Sequence, residues 1–250
     1  MFGAIMRNFI SLIVLAIALS SCAKDLGQPS LPESSHSLLG YCAQAPNDLQ
    51  SAGFSSETRS EFLKQNKVLQ VTDITDSYLT QFAFELAKFP EQLRSFLNNN
   101  DIGFHLVQGR GVSEDPSFPN FFSQTFDGRS WANVPGSGSA DVTRVVVNRL
   151  YEGHGSVNLV LHERAHTLDS NLGNVSSTSQ WNAVLSSDSS FREILGKYCG
   201  DYCLGHSNEA FAEGFAIYYS CEKSKNLLAS AGMATSFFDR LDAPNANPNQ

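Results

Sequence analysis

The sequence predicts an α+β fold: helices first, a short twisted sheet in the middle, and two later helices that each carry ionisable residues four positions apart. Three observations predict it. Apolar residues recur at helical spacing between Glu57 and Asn100. Two short apolar runs, Ile102 to Val107 and Arg144 to Leu150, have the length and β-branched content of strands. The segments around His162 and Glu209 set paired polar side chains into apolar helical surroundings.

The chain opens with Arg7, an apolar run from Phe9 to Leu19, and Leu19-Ser20-Ser21-Cys22. About a dozen apolar residues fall short of the ~20 that a transmembrane helix needs, so residues 1–21 are expected to be a cleaved export signal. The small residues before Cys22 resemble a bacterial lipobox, which implies lipidation of Cys22 and attachment to a membrane; an ordinary export signal that leaves Cys22 free is the other reading. Either way the mature chain is expected outside the cytoplasm, in the cell envelope. Alanine after Cys22, by resemblance to sorted lipoproteins, favours the outer membrane or cell surface.

Residues 22–45, rich in Ser, Pro and Gly, read as a flexible tether. Residues 46–100 read as a helical lobe. Phe62, Leu69, Leu79, Phe82, Phe84, Leu86, Phe89, Leu93 and Leu97 give two or three amphipathic helices, with Pro90 opening a fresh turn. Residues 101–242 form the main domain. Between its two strands, Trp131, Pro135, Gly136 and Gly138 mark loops. Ser156 is placed to cap a helix running to about Ser170, the polar stretch 170–190 reads as a long connection, and Ser207 or Asn208 caps a helix through Glu209 to Tyr219. Residues 243–250 read as a disordered tail.

With 250 residues, 42% of them hydrophobic, the chain can bury one sizeable core, with or without a small helical lobe. A net charge of −8 excludes the cationic field that nucleic-acid binding needs. A monomer is expected. Apart from Cys22 there are four cysteines, an even number in an oxidising compartment, and three pairings are possible. Cys199 with Cys203 and Cys42 with Cys221 is the favoured set, because only three residues separate the first two. A four-thiolate zinc site would want two closely spaced couples, which are absent.

The chemistry is densest in His162-Glu163-Arg164-Ala165-His166. Four residues apart on a helix, the two imidazoles share one face and point at a common centre, as two zinc ligands must. Glu163 projects beside that centre, where a carboxylate can act as a general base on water. A catalytic zinc needs a third protein ligand. Glu209 and Glu213 share a face of an apolar helix, where unpaired carboxylates would be costly, and a metal and a histidine N–H are the partners that would offset that cost.

Trp131 to Gly136, Gly153 to Asp169 and Asn208 to Phe215 together resemble the lethal-factor-type metallopeptidases, the family of anthrax lethal factor's catalytic domain and the clostridial Pro-Pro endopeptidases. The similarity runs from about Leu86 to Phe238. It implies a zincin-like domain with a small N-terminal helical lobe and a short twisted sheet over two ligand-bearing helices. It also implies Glu209 as the third zinc ligand and Glu213 as a carboxylate behind the ligands. Tyr202, seven residues before Glu209, takes the place of the tyrosine that stabilises the tetrahedral intermediate. Asp169 either orients a ligand histidine or serves as a simple cap. Trp131 and residues 135–139, with Gly136, match the substrate-facing region, where a tryptophan packs on proline rings or else fills the core. His154 and His206 are read as structural or substrate-proximal, while His36 and His105 are given no role. The strand Val145 to Leu150, if it edges the cleft, would bind an extended peptide. Cys199 and Cys203, which bracket Tyr202, and the lipid anchor depart from the family.

The expected activity is a lipid-anchored zinc metalloendopeptidase, with one Zn2+, that cuts peptide bonds through zinc-activated water, near proline. The alternative is a lipid-anchored binding or adhesion protein with a non-catalytic zinc site. A variant of the enzyme reading takes another substrate, such as a peptidoglycan stem peptide.

Overall fold

Ser55 opens the first helix: its hydroxyl accepts the Thr58 N–H at 3.2 Å and satisfies one of the amides that a helix start leaves unpaired. The computed structural model describes residues 42, 55–119, 130–151 and 155–241. In it the helical spacing becomes α1 (Ser56–Gln65), α2 (Asp76–Ala87) and α3 (Glu91–Asn99). Pro90 caps α3, where an amide would have lacked an intrahelical acceptor anyway. Phe82, Leu86, Phe89 and Leu97 belong to the same buried cluster as the two later helices. Leu69 departs from the expected periodicity. Lys67 takes a left-handed φ of 51° after α1 ends, so Leu69 lies in a short strand, β1 (Val68–Gln70), and is 53% exposed.

With β2 (Gly103–Val107), β3 (Gly136–Gly138) and β4 (Val142–Val146), β1 forms a four-stranded sheet in the order β1-β2-β4-β3, parallel except for the antiparallel β3. Strand alternation sorts the side chains. Phe104 and Leu106, paired with Thr143 and Val145, face the main core, whereas Val107 and Val146 join Val112, Phe118, Trp131 and Val134 in a second cluster on the other face. Two expectations are corrected here. The second strand ends at Val146, where the turn Val147–Arg149 begins, and it is internal, with β2 on one side and β3 on the other. The edge strand is Gly136–Gly138, expected to be a loop: Gly-Ser-Gly has little intrinsic strand preference, and its pairing with β4 supplies the order.

Beneath the sheet lies α4 (Leu159–Asn171), in which every residue from Leu159 to Asp169 is buried. Its cap is Asn158 rather than Ser156: the Asn158 side chain accepts from Leu161 N at 3.1 Å, and the Ser156 hydroxyl accepts from Asn158 N at 3.1 Å. The stretch 170–190 is not a long connection. After positive-φ Gly173 and Asn174 it folds into α5 (Ser179–Ser187), capped by Thr178, and α6 (Ser189–Tyr198), capped by Asp188. Serine dominates its composition, but Trp181, Val184, Phe191 and Leu195 keep helical spacing and are buried. Trp181 packs among Phe191, Phe211, Phe237 and Phe238, and its indole N–H donates to Ser207 O at 3.1 Å.

Next come α7 (Asp201–Gly205), α8 (Ser207–Ser220), α9 (Glu222–Leu227) and α10 (Gly232–Leu241). α8 begins at Ser207 with His206 as its cap residue, so neither Ser207 nor Asn208 caps it; the Ser207 hydroxyl donates instead to Ser176 O at 2.6 Å. The disulfides join the expected pairs, Cys199 with Cys203 and Cys42 with Cys221, and the second links residues 179 positions apart. Among the described residues no helix is long and apolar enough to cross a membrane. Residues 1–41, with Cys22 and His36, and residues 242–250 lie outside the described residues, as does His154.

Candidate metal centre

Two helices build the site, α4 and α8, packed against each other in the core. On α4 the i, i+4 spacing brings His162 Nε2 to within 3.1 Å of His166 Nε2. On α8 Glu209 turns its carboxylate toward both: Oε2 is 3.3 Å from His162 Nε2 and Oε1 is 3.5 Å from His166 Nε2. The three ligand atoms lie within 4.8 Å of one another, and His162 and Glu209 are fully buried. Burial pushes the Glu209 carboxyl up, but the imidazoles of His166 and His162 outweigh it and hold the group well below the usual carboxylate range.

Glu213, one turn further along α8, sits behind this group. Its Oε2 lies 2.9 Å from His162 Nδ1 and its Oε1 accepts from Val157 N at 2.8 Å. With Nδ1 occupied by the carboxylate, Nε2 of His162 is left to face the centre, the arrangement in which a carboxylate orients a ligand imidazole. Glu163 lies beside the three. It is fully buried, and neither carboxylate oxygen has a partner with full hydrogen-bond geometry. Burial therefore pushes its carboxyl up to about 7, with the two imidazoles offsetting part of the rise. A buried, partnerless carboxylate next to two imidazoles and a second carboxylate fits a bound cation, and the N, N, O donor set suits zinc. Among the described residues these three are the group placed to hold a metal ion.

The edge strand completes the site. A Cβ on Gly136 would meet Glu163 Cγ at 2.5 Å and Oε1 at 2.6 Å; one on Gly138 would meet Glu163 O at 2.2 Å and His166 Cβ at 2.6 Å. Only glycine lets β3 lie this close to α4. We expect the two positions to differ. Gly138→Ala drives a methyl into backbone and should cost about 1–3 kcal/mol of stability in a thermal melt. Gly136→Ala meets a side chain that can swing away, so it should melt near wild type while losing activity through a displaced Glu163. Equal melting temperatures for the two variants would contradict this.

Arg164, between the two motif histidines, is fully buried. It donates to Ile102 O at 3.0 Å, Gly103 O at 3.1 Å and Thr143 Oγ1 at 3.2 Å, over the ring of Phe104, and so ties α4 to the start of β2. Burial lowers its pKa to about 9. The Asp169 carboxylate is bonded to Ser176 rather than to His166. Its oxygens accept from Ser176 N at 2.7 Å and Ser176 Oγ at 2.5 Å, which anchors the turn after α4. Tyr202 lies on α7, just before the ligand helix, with its ring 4.8 Å from that of His206. Trp131 is 3% exposed and packs on Phe118 at 5.1 Å in the second cluster, so of its two expected roles its packing supports the core one. His105 lies on the outer face, against Asp115 at 2.8 Å.

Two participants were given no role from the sequence: Val157 through its amide, and Asn158 as the cap of α4. A reading that asked which residue stands immediately before the buried helix would have found Asn158.

A helical pair carrying two histidines and a glutamate, a buried glutamate beside them, and a short sheet whose antiparallel edge lies across the motif helix define a zincin-like zinc metalloendopeptidase. The match is to the anthrax toxin lethal factor, N- and C-terminal domain, family, over residues 55–241, and the chain belongs to that family. It is 34% identical to the Pro-Pro endopeptidase of Clostridioides difficile (strain 630) over 165 residues, covering 62% of this chain and 72% of that protein. It is 28% identical over 169 residues to the Pro-Pro endopeptidase of Paenibacillus alvei, covering 63% and 74%. The solved structure of the Pro-Pro endopeptidase from Paenibacillus alvei superposes with a TM-score of 0.59 and 24% identity, over 72% of this chain and 99% of that one; at this identity the likeness carries the fold.

Proposed function

We propose that this protein is a lipid-anchored, extracytoplasmic endopeptidase that cuts between prolines, with one zinc held by His162, His166 and Glu209. The observation that carries the reading is the convergence of the three ligand atoms beside the fully buried Glu163 carboxylate. Zinc, when bound there, supplies a Lewis acid that acidifies water and polarises a carbonyl. Glu163, fully buried beside the three ligand atoms, takes a proton from the attacking water and passes it to the leaving amine. Glu213 keeps the His162 ring oriented throughout. Tyr202 offers a phenol donor to the developing oxyanion. β3, antiparallel and at the end of the strand order among the described residues, offers main-chain groups to an extended peptide, and its glycines face Glu163.

The proline preference rests on the two Pro-Pro endopeptidases to which the chain is similar. Envelope location rests on the export signal and Cys22, and a tether over 22–45 on the Ser, Pro and Gly content of that stretch. The test is a combinatorial peptide library digested with the zinc-loaded chain and sequenced at the new termini, with the full-length protein followed by cell fractionation. Cleavage between adjacent prolines, about one zinc per chain and membrane association lost in Cys22→Ala are the expected results. A library left intact would remove the peptidase reading, cuts without proline the specificity, and a soluble wild type the anchor.

A further inference from the structure

Glu85, on α2, is a carboxylate only 3% exposed, and the site described above does not use it. Among the described residues, its side-chain hydrogen-bond partners are all donors. Lys88 Nζ approaches Oε2 at 2.6 Å, Tyr151 OH donates to Oε1 at 3.1 Å, and Asn158 Nδ2 donates to Oε2 at 2.5 Å. Lys88 also donates to Cys42 O at 3.1 Å, and Cys42 is bonded to Cys221 directly after α8. Asn158 is the point where this cluster meets the metal centre. While its Nδ2 is held by Glu85, its Oδ1 caps α4 through Leu161 N, and its neighbour Val157 donates its amide to Glu213, the carboxylate behind His162.

From this geometry we propose that Glu85 is a positioning residue for the metal centre: by holding Asn158 it fixes the start of α4 and, through Val157 and Glu213, the orientation of His162. The proposal rests on the zinc reading above. A burial-driven role would need no specific partner, because an apolar side chain of similar size would pack as well in the same place. Glu85 instead spends both oxygens on three donors from three segments, and a buried carboxylate with that many donors holds them at fixed distances. It also lies near the amino-terminal end of α4, where a negative charge favours the helix dipole.

The test compares zinc affinity, measured by competition with a colorimetric chelator, and melting temperature of the metal-free chain, for wild type, Glu85→Gln, Asn158→Ser and the double variant. Serine keeps a capping oxygen but cannot reach Glu85, so it breaks the bridge without removing the cap. Glu85→Gln and Asn158→Ser should each weaken zinc binding roughly 10-fold, the lower end of what outer partners of metal ligands contribute. The double variant should be no weaker than the worse single one, because both remove one bridge. Zinc affinities within twofold of wild type, with only the melting temperature lowered, would overturn the proposal, as would fully additive losses. If wild type itself takes up no zinc, the metal reading fails and this proposal with it, a result separable from the others because wild type and variants would then be equally silent.

Discussion

Glu163→Gln should lower kcat about 10³-fold while leaving zinc content unchanged. The substitution keeps shape and volume but removes a fully buried carboxylate that lies beside the three ligand atoms. Positioned proton transfer contributes roughly 10²–10⁴-fold to rates, and here one group both receives the proton and returns it. The same burial that lifts its carboxyl from 4.5 to about 7 gives a second readout after zinc is chelated. A carboxyl whose folded pKa is raised holds its proton in the folded state while the unfolded chain has already lost it. Between about pH 4.5 and pH 7 the folded form therefore binds more protons, and stability falls as pH rises through that window. Chelated wild type should lose melting temperature over this range relative to chelated Glu163→Gln. Residual turnover above a tenth of wild type, or parallel melting curves, would refute the assignment.

Glu209→Ala should cost zinc itself. Supporting partners of metal ligands are worth 10–100-fold in affinity, so a direct ligand should be worth at least about 100-fold, and activity should fall with occupancy. Two features make the loss severe. Glu209 faces both imidazoles, which hold its carboxyl well below the usual range, and it is fully buried, so removing it leaves His162 Nε2 and His166 Nε2 3.1 Å apart with no negative charge between them. Glu213→Ala is the control. It removes a partner of His162 Nδ1 and of the Val157 amide but no donor to the centre, so its loss should stay in the 10–100-fold range. A chelator titration in which Glu213→Ala loses more zinc affinity than Glu209→Ala would reverse the roles of the two carboxylates.

Much of the site is local in the chain, which is why it can be read there. His162, Glu163 and His166 lie within five residues, and helical geometry alone decides which of them share a face. Glu209 and Glu213 repeat the pattern on a second helix, and one-letter spacing leaves open which is the ligand. Residues 170–190 show the opposite case. Their serines read as a connection, yet Trp181 and Val184, Phe191 and Leu195 just beyond, and two side-chain caps, Thr178 and Asp188, make two helices there. Burial outweighed composition because only the apolar positions had a core to enter.

The edge strand is the clearest example of what pairing alone can decide. Gly136-Ser137-Gly138 has no periodicity and low strand preference, and it becomes a strand because β4 offers hydrogen bonds on one side and α4 leaves no room for a side chain on one face. The strand expected at 145–150 would bind a peptide only if it edged the cleft, and it is internal; an internal and an edge strand look alike when only their own residues are read. Asn158 and Glu85 are 73 positions apart and met only through folding.

From its residues alone, then, the chain determined two ligand-bearing helices and the base beside them, because each of these follows from spacing along one segment. Tertiary structure decided which glutamate faces the imidazoles, which strand lies over the motif helix and which side chains hold that helix in place. Those depend on distances between segments far apart in sequence, which only the packed core sets.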